Sequence, residues 1–156
     1  MSEVVESTTE ITVSTVVDDL ATKVGAERCT VQETADKIPT IWVPREEIQS
    51  VLRFLKDEVS TPYELLFDVS AIDERTRQHR VDQPDSDFTV FYHLISLSGN
   101  NDIRIKVPLS EADNRVKSVS SIYPVANWYE REAFDMFGID FEDHPNLRRI
   151  LTPPLW

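Results

Sequence analysis

The pattern of apolar and polar positions predicts strands along much of this chain. Residues 28–44 alternate the two classes on either side of the turn-prone Ala35-Asp36-Lys37, which predicts a hairpin. The segments FTVFYHLISLS and DIRIKVPLS are rich in β-forming residues and flank Gly99-Asn100-Asn101, so a second hairpin is expected. Between the hairpins, YELLFDVSAIDE is predicted to be a strand and RTRQHRVDQPDSD a surface loop.

Helical periodicity is clearest over residues 45–58, where Ile48, Val51, Leu52 and Leu55 share one face. Shorter helices are predicted after Asp18 or Asp19, ending near Gly25, and over residues 111–123. Residues 1–15 have no periodicity that defines a core face, so we expect a mobile tail ahead of a single domain over 16–156. The mixture of hairpins and helices predicts an α+β fold, a mainly antiparallel sheet of about four to five strands with helices packed on one face.

The segment NWYEREAFDMFG, residues 127–138, combines charged and aromatic residues at high density. Asn127 and Glu130 have capping-box spacing, and Gly138 is placed to end the helix. A helical projection puts Glu130 in the apolar arc, where it needs the capping bond or a cation such as Arg148 or Arg149. The rest of that arc is Tyr129, Ala133, Phe134, Met136 and Phe137. The opposite stripe is Trp128, Arg131, Glu132 and Asp135, in which Arg131 and Asp135 are expected to pair.

Three interpretations of this segment compete. In a catalytic one, Glu130, Glu132, Asp135 and His144 act as acids, bases or metal ligands. The spacing argues against it, because Arg131 favours salt pairing and no second histidine lies near His144 in the sequence. A docking surface explains the charged stripe. Closure of the chain's own core explains only the aromatic residues.

Composition excludes several classes of function. A formal net charge of −12 and a pI near 4.6 disfavour nucleic-acid binding, which needs a basic surface. The single Cys29 excludes an internal disulfide and a multi-thiolate metal site. Neither a signal or transit peptide nor an apolar run of roughly 18 residues is present. We therefore expect a soluble intracellular chain with no nucleic-acid partner and no direct membrane span.

One set of residues recurs in a known family in the same order and spacing: Glu130-Arg131-Glu132, Asp135-Met136-Phe137, His144, Arg148 and Ile150-Leu151. This set resembles the signature of the 30 kDa, or C, subunit of respiratory complex I, the NADH-quinone oxidoreductase. FDVSAIDER, FTVFYHLIS and NDIRIKVPL are also similar to the family's central strands, so the resemblance covers about residues 28–152. The segments VFYHLIS, ANWYERE and HPNLRRI are most similar in sequence to the bacterial form in which the C subunit is fused ahead of the D subunit.

The resemblance implies a non-catalytic interaction subunit in the peripheral arm of an enzyme that transfers electrons from NADH to quinone and translocates protons. It implies no cofactor in this chain, because partner subunits hold the FMN, the iron–sulfur clusters and the quinone. The implied partners are a D-subunit-like quinone-site chain and neighbouring iron–sulfur subunits, on the cytoplasmic side of the bacterial inner membrane. The implied interface residues are Glu130, Arg131, Glu132, Asp135, His144, Arg148 and Arg149.

This sequence departs from the family pattern at its end. Family members continue into a basic, proline-containing tail, whereas this sequence stops at Trp156, so an excised or truncated domain is expected. Two alternative functions stay open. One is the equivalent subunit of a membrane-bound hydrogenase-type complex. The other is a stand-alone metal-assisted hydrolase that uses Glu132, Asp135 and His144.

Overall fold

A five-stranded sheet organises the chain, which the computed structural model describes over residues 15–155. The strands are β1 (Thr30–Gln32), β2 (Thr40–Trp42), β3 (Leu65–Asp73), β4 (Phe88–Ser96) and β5 (Asn101–Leu109). Their order across the sheet is β1-β2-β5-β4-β3, and every neighbouring pair is antiparallel except β2 with β5. The prediction of an α+β fold with a mainly antiparallel sheet is confirmed.

Both predicted hairpins are present. Val31 lies opposite Ile41 in the first, and Tyr92 lies opposite Ile105 in the second. The strand predicted over YELLFDVSAIDE is β3, which pairs with β4 and shifts register between Leu66 and Asp68. The parallel pairing of β2 with β5 joins the hairpins. It depends on residues far apart in the sequence, so local patterns do not reveal it.

Within the described residues, two α-helices precede β3. Helix α1 covers residues 15–24, and helix α2 (Ile48–Asp57) follows a 3-10 turn over Arg45–Glu47. All four apolar positions predicted for the α2 face are buried. Helix α1 begins before the predicted cap at Asp18 or Asp19, and Gly25 follows it with the expected positive φ, 106°. Most of the predicted tail, residues 1–14, lies outside the described residues.

The helix predicted over residues 111–123 is wrong. Strand β6 (Arg115–Lys117) lies there instead and pairs in parallel with β7 (Asp140–Glu142), with buried Val116 opposite buried Phe141. The segment is extended because its pairing partner lies beyond the next helix, outside any local window. That helix, α3 (Ala126–Phe137), connects the two strands and makes a small β-α-β unit.

The main core lies between one face of the sheet and the helices. Alternate residues of the central strands are buried there: Val90, Tyr92 and Leu94 in β4, and Ile103, Ile105 and Val107 in β5. They form one cluster with Leu20 of α1, the buried face of α2 and Ala133 of α3. The intervening strand residues, such as Phe91 and His93, are only half-buried. This alternation is the half-buried strand pattern predicted for a sheet covered on one face.

Gly138 ends α3 in the left-handed conformation, with φ of 69° and its N–H donating to the Phe134 carbonyl at 2.9 Å. A Cβ at this position would meet nothing within 4 Å, so a side chain adds only conformational strain. We expect Gly138→Ala to lower the free energy of unfolding by about 1 kcal/mol, measured by urea denaturation. Gly138→Asn should lower it less, because asparagine tolerates this conformation. Equal losses in both variants would contradict the conformational explanation.

Candidate interaction site

Glu130 is held by the turn that follows β6. Its carboxylate accepts hydrogen bonds from the Ser118 hydroxyl at 2.6 Å and the Val119 N–H at 2.7 Å. The predicted capping box is wrong, because α3 begins at Ala126 and its N-cap, Val125, makes no side-chain capping bond. The turn supplies the partners of Glu130 in place of the predicted cap or cation.

Burial shapes the chemistry of Glu130. Burial raises the pKa of this carboxyl to about 7, although the hydrogen bonds from Ser118 and Val119 act to lower it. The side chain of His144, also buried, places Nε2 at 3.8 Å from the Glu130 carboxylate. Nε2–H donates to the Asn127 carbonyl at 3.1 Å, and Nδ1 accepts from the Asn146 N–H at 3.0 Å. Both ring nitrogens of His144 are therefore engaged in hydrogen bonds with the backbone of this chain.

Arg131 binds the backbone of the C-terminal segment, residues 148–152. Its Nε donates to the Arg148 carbonyl at 3.1 Å and its Nη2 to the Arg149 carbonyl at 3.2 Å. The guanidinium also lies 5.2 Å from the centre of the Trp128 ring. Arg131 is only 8% exposed, so its predicted position on the charged outer stripe is wrong.

Asp135 binds the same segment from one turn further along α3. Its Oδ2 accepts from the N–H groups of Ile150, Leu151 and Thr152 at 3.1, 2.7 and 2.8 Å, and its Oδ1 accepts from the Thr152 hydroxyl. Burial acts to raise the pKa of this carboxyl, but these hydrogen bonds outweigh it and hold the pKa well below its usual range. The predicted Arg131–Asp135 pair is thus replaced by two separate attachments of the C-terminal segment.

The remaining predicted interface residues are at the surface. Glu132, Arg148 and Arg149 are exposed, and Arg149 donates to the Pro153 carbonyl at 3.3 Å. Trp128 and Met136 are 59% and 46% exposed. The predicted position of Met136 in the buried apolar arc is wrong, so the helix is rotated relative to the prediction. Trp128, Glu132 and Met136 follow one another at intervals of four residues, which indicates that they share one side of the helix. Nothing in the neighbouring sequence indicates that this side is exposed.

The hydrolase alternative requires Glu132, Asp135 and His144 to face one cavity. Glu132 is exposed, His144 is buried, and the oxygens of Asp135 accept bonds from the C-terminal segment. Across residues 15–155, no three His, Cys, Asp or Glu side chains are grouped so that they could hold a metal ion. Over the same range, none of the helices has the length and apolar character needed to cross a membrane.

The fold is shared with two solved structures. It matches the trypsin-resistant fragment (1-134) of Nqo5 with a TM-score of 0.67 at 24% identity, over 85% of this chain and 99% of the fragment. It matches a chain of the membrane-bound sulfane sulfur reductase, an archaeal respiratory membrane complex, with a TM-score of 0.67 at 25% identity, over 90% of this chain and 78% of that one.

The sequence defines the family. The model of the respiratory-chain NADH dehydrogenase 30 Kd subunit matches residues 41–156, and the chain belongs to this family. It is 57% identical to the C/D subunit of NADH-quinone oxidoreductase from Acinetobacter baylyi and 52% identical to that from Acidiphilium cryptum. These alignments cover 90% of this chain but only 23% and 24% of the relatives, so the chain spans less than a quarter of their length. The family resemblance seen in the sequence is confirmed.

Proposed function

We propose that this chain is a non-catalytic interaction domain of the peripheral arm of NADH-quinone oxidoreductase. One observation carries the proposal: Glu130, Arg131, Asp135 and His144 of the family signature make hydrogen bonds that shape this chain's own surface. A catalytic acid, base or nucleophile must reach a substrate, whereas these groups are engaged with backbone atoms of the chain. The signature is therefore best explained by a surface built for a partner.

In this proposal, partner chains carry the redox chemistry. They hold the FMN, the iron–sulfur clusters and the quinone, and pass electrons from NADH to quinone with translocation of protons. The main partner is a D-subunit-like chain, either fused to this domain or separate, on the cytoplasmic side of the inner membrane. The C/D names of the relatives from Acinetobacter and Acidiphilium support a connection between the two parts.

Native purification tests the assignment. A tagged full-length polypeptide, extracted from membranes of the host in mild detergent, should migrate with a complex that oxidises NADH. Deletion of its gene should abolish quinone reduction by NADH in those membranes. A polypeptide that migrates without other complex I chains, in a host whose deletion strain keeps this activity, would refute the proposal.

The non-catalytic role has its own test. In the assembled complex, Glu132→Gln should leave turnover per complex within about twofold of the wild type, because the carboxylate contacts no reacting group. The Asp140→Asn complex, altered at another exposed acid, serves as the control. A drop of about tenfold or more in turnover per complex for Glu132→Gln alone would favour a catalytic function.

A second candidate is the equivalent chain of a membrane-bound complex with another electron donor. The match to the sulfane sulfur reductase chain supports it, at 25% identity. The electron donor separates the candidates. NADH oxidation by the purified complex supports the first, and a purified complex that contains this chain but does not oxidise NADH supports the second.

A further inference from the structure

The outer face of α3 and its N-cap residue carry a row of exposed side chains, which we call the α3 stripe: Val125, Trp128, Glu132 and Met136. Its three apolar members are 40%, 59% and 46% exposed, in chain order. Trp128, Glu132 and Met136 follow one another at intervals of four residues, so they lie along one side of the helix. The stripe is thus an exposed apolar surface with one acidic group at its centre.

Glu132 has no partner for its charge among residues 15–155, where it makes neither a hydrogen bond nor an ion pair. The positions three and four residues away are Trp128, Tyr129, Asp135 and Met136, none of which is a cation. The adjacent Arg131 is directed towards the carbonyls of the C-terminal segment. A single exposed acid between two large apolar side chains is therefore left for an external cation.

Trp128 is ordered by a contact with Arg131 within this chain. The Arg131 guanidinium lies 5.2 Å from the indole centre and is itself fixed by its two bonds to the C-terminal segment. An aromatic side chain that is already ordered loses little conformational freedom on binding. Tryptophan is also among the residues that most often dominate the energy of protein interfaces.

The C-terminal segment extends the apolar surface beside the stripe. Arg131 and Asp135, which bind the segment, are the neighbours of Glu132 at one and three residues along α3. The segment consequently runs along one side of the stripe. Its Leu151 is 60% exposed. Two elements of the chain, α3 and the segment that Asp135 binds, therefore present exposed apolar side chains.

We propose that the α3 stripe together with Leu151 docks against a neighbouring chain of the respiratory complex that presents one arginine or lysine framed by apolar side chains. The inference rests on the proposed function and adds the surface and the chemistry of its partner. A carboxylate covered by an apolar surface requires a compensating cation, because burial of an unpaired charge is strongly unfavourable. A second copy of this chain fits poorly, since a two-fold pairing of stripes brings two Glu132 carboxylates together.

Site-specific photocrosslinking tests the surface. p-Benzoylphenylalanine replaces Trp128 in the full-length polypeptide expressed in its host, and a matched strain carries it at Val81, which is fully exposed in the loop between β3 and β4. The expected crosslink from position 128 joins a peptide outside residues 1–156 that contains arginine or lysine, with no such product from position 81. A crosslink to a second copy, to a peptide without a basic residue, or from position 81 alone would overturn the inference.

Charge reversal tests the chemistry. Glu132→Arg should lower the fraction of the polypeptide found in the complex by at least about tenfold, whereas Asp19→Arg, at an exposed acid of α1, should not. Changing the crosslinked basic residue to glutamate should restore assembly of Glu132→Arg. An unchanged assembled fraction for Glu132→Arg, or no restoration, would overturn the inference while wild-type migration with the complex upholds the proposed function. A wild-type polypeptide that never enters the complex would refute both the inference and the proposed function.

Discussion

Asp135→Ala is expected to raise the amide hydrogen-exchange rates of Ile150, Leu151 and Thr152 by about 10- to 100-fold. All three N–H groups donate to one carboxylate oxygen of Asp135, and the Thr152 hydroxyl donates to the other. Alanine removes every one of these acceptors at once. Exchange measured by mass spectrometry or NMR at neutral pH reports the change directly, while amides in β4 and β5 should keep their protection.

Glu132→Ala provides the matched control, since it removes an exposed carboxylate from the same helix without touching the segment. Its exchange pattern over residues 148–152 should equal that of the wild type. Asp135→Asn should lie between the two, because an amide oxygen still accepts but carries no charge. Unchanged rates in Asp135→Ala would mean that Arg131 alone fixes the segment.

The wild-type chain should lose about 2 kcal/mol of unfolding free energy between pH 5 and pH 8, and Glu130→Gln should remove that loss. Burial raises the pKa of Glu130 to about 7 from an ordinary value of 4.5. The folded state therefore holds this proton more tightly than the unfolded state. Its contribution is most favourable below pH 4.5, declines as the pH rises through 7 and is constant above that.

Urea denaturation at intervals across this range, followed by tryptophan fluorescence, measures the slope. Glu132→Gln, on the exposed side of the same helix, should keep the wild-type slope. The carboxyls of Asp36, Asp113 and Asp135 have lowered pKa values, so their contributions are lost only at lower pH. A wild-type profile that is flat from pH 5 to 8, or a slope that survives in Glu130→Gln, would contradict this account of the buried carboxyl.

Local patterns identified the elements that depend on near neighbours. The face of α2 and both hairpins follow from apolar spacing and turn residues that lie within one segment. Gly138 was identified as the end of α3 because a left-handed residue at that position is a local requirement. The family signature was also visible, since it is a matter of order and spacing.

The predictions are wrong where a residue distant in the sequence determines the local structure. Strand β6 is extended because it pairs with β7, beyond α3. Glu130 accepts hydrogen bonds from Ser118 and Val119 in place of forming a helix cap. Arg131 is buried because the carbonyls of residues 148 and 149 accept hydrogen bonds from its guanidinium. A helical projection predicts that charged side chains face solvent. It therefore predicts the wrong orientation of α3, because the charged side chain of Arg131 finds hydrogen-bond acceptors in the protein and is buried.

The β-α-β unit has a mechanical consequence for α3. The strand before the helix and the strand after it are bonded to each other, and the Asn114 side chain also donates to the Gly138 carbonyl at 2.7 Å. The helix is thus connected at both ends to the same small sheet. The bonds from Ser118 and Val119 to Glu130 and from Asn114 to Gly138 oppose sliding of α3 along its own axis. In the proposed interface, the exposed side chains of α3 would therefore keep their positions when a partner binds. Binding would then need no rearrangement of the backbone of α3.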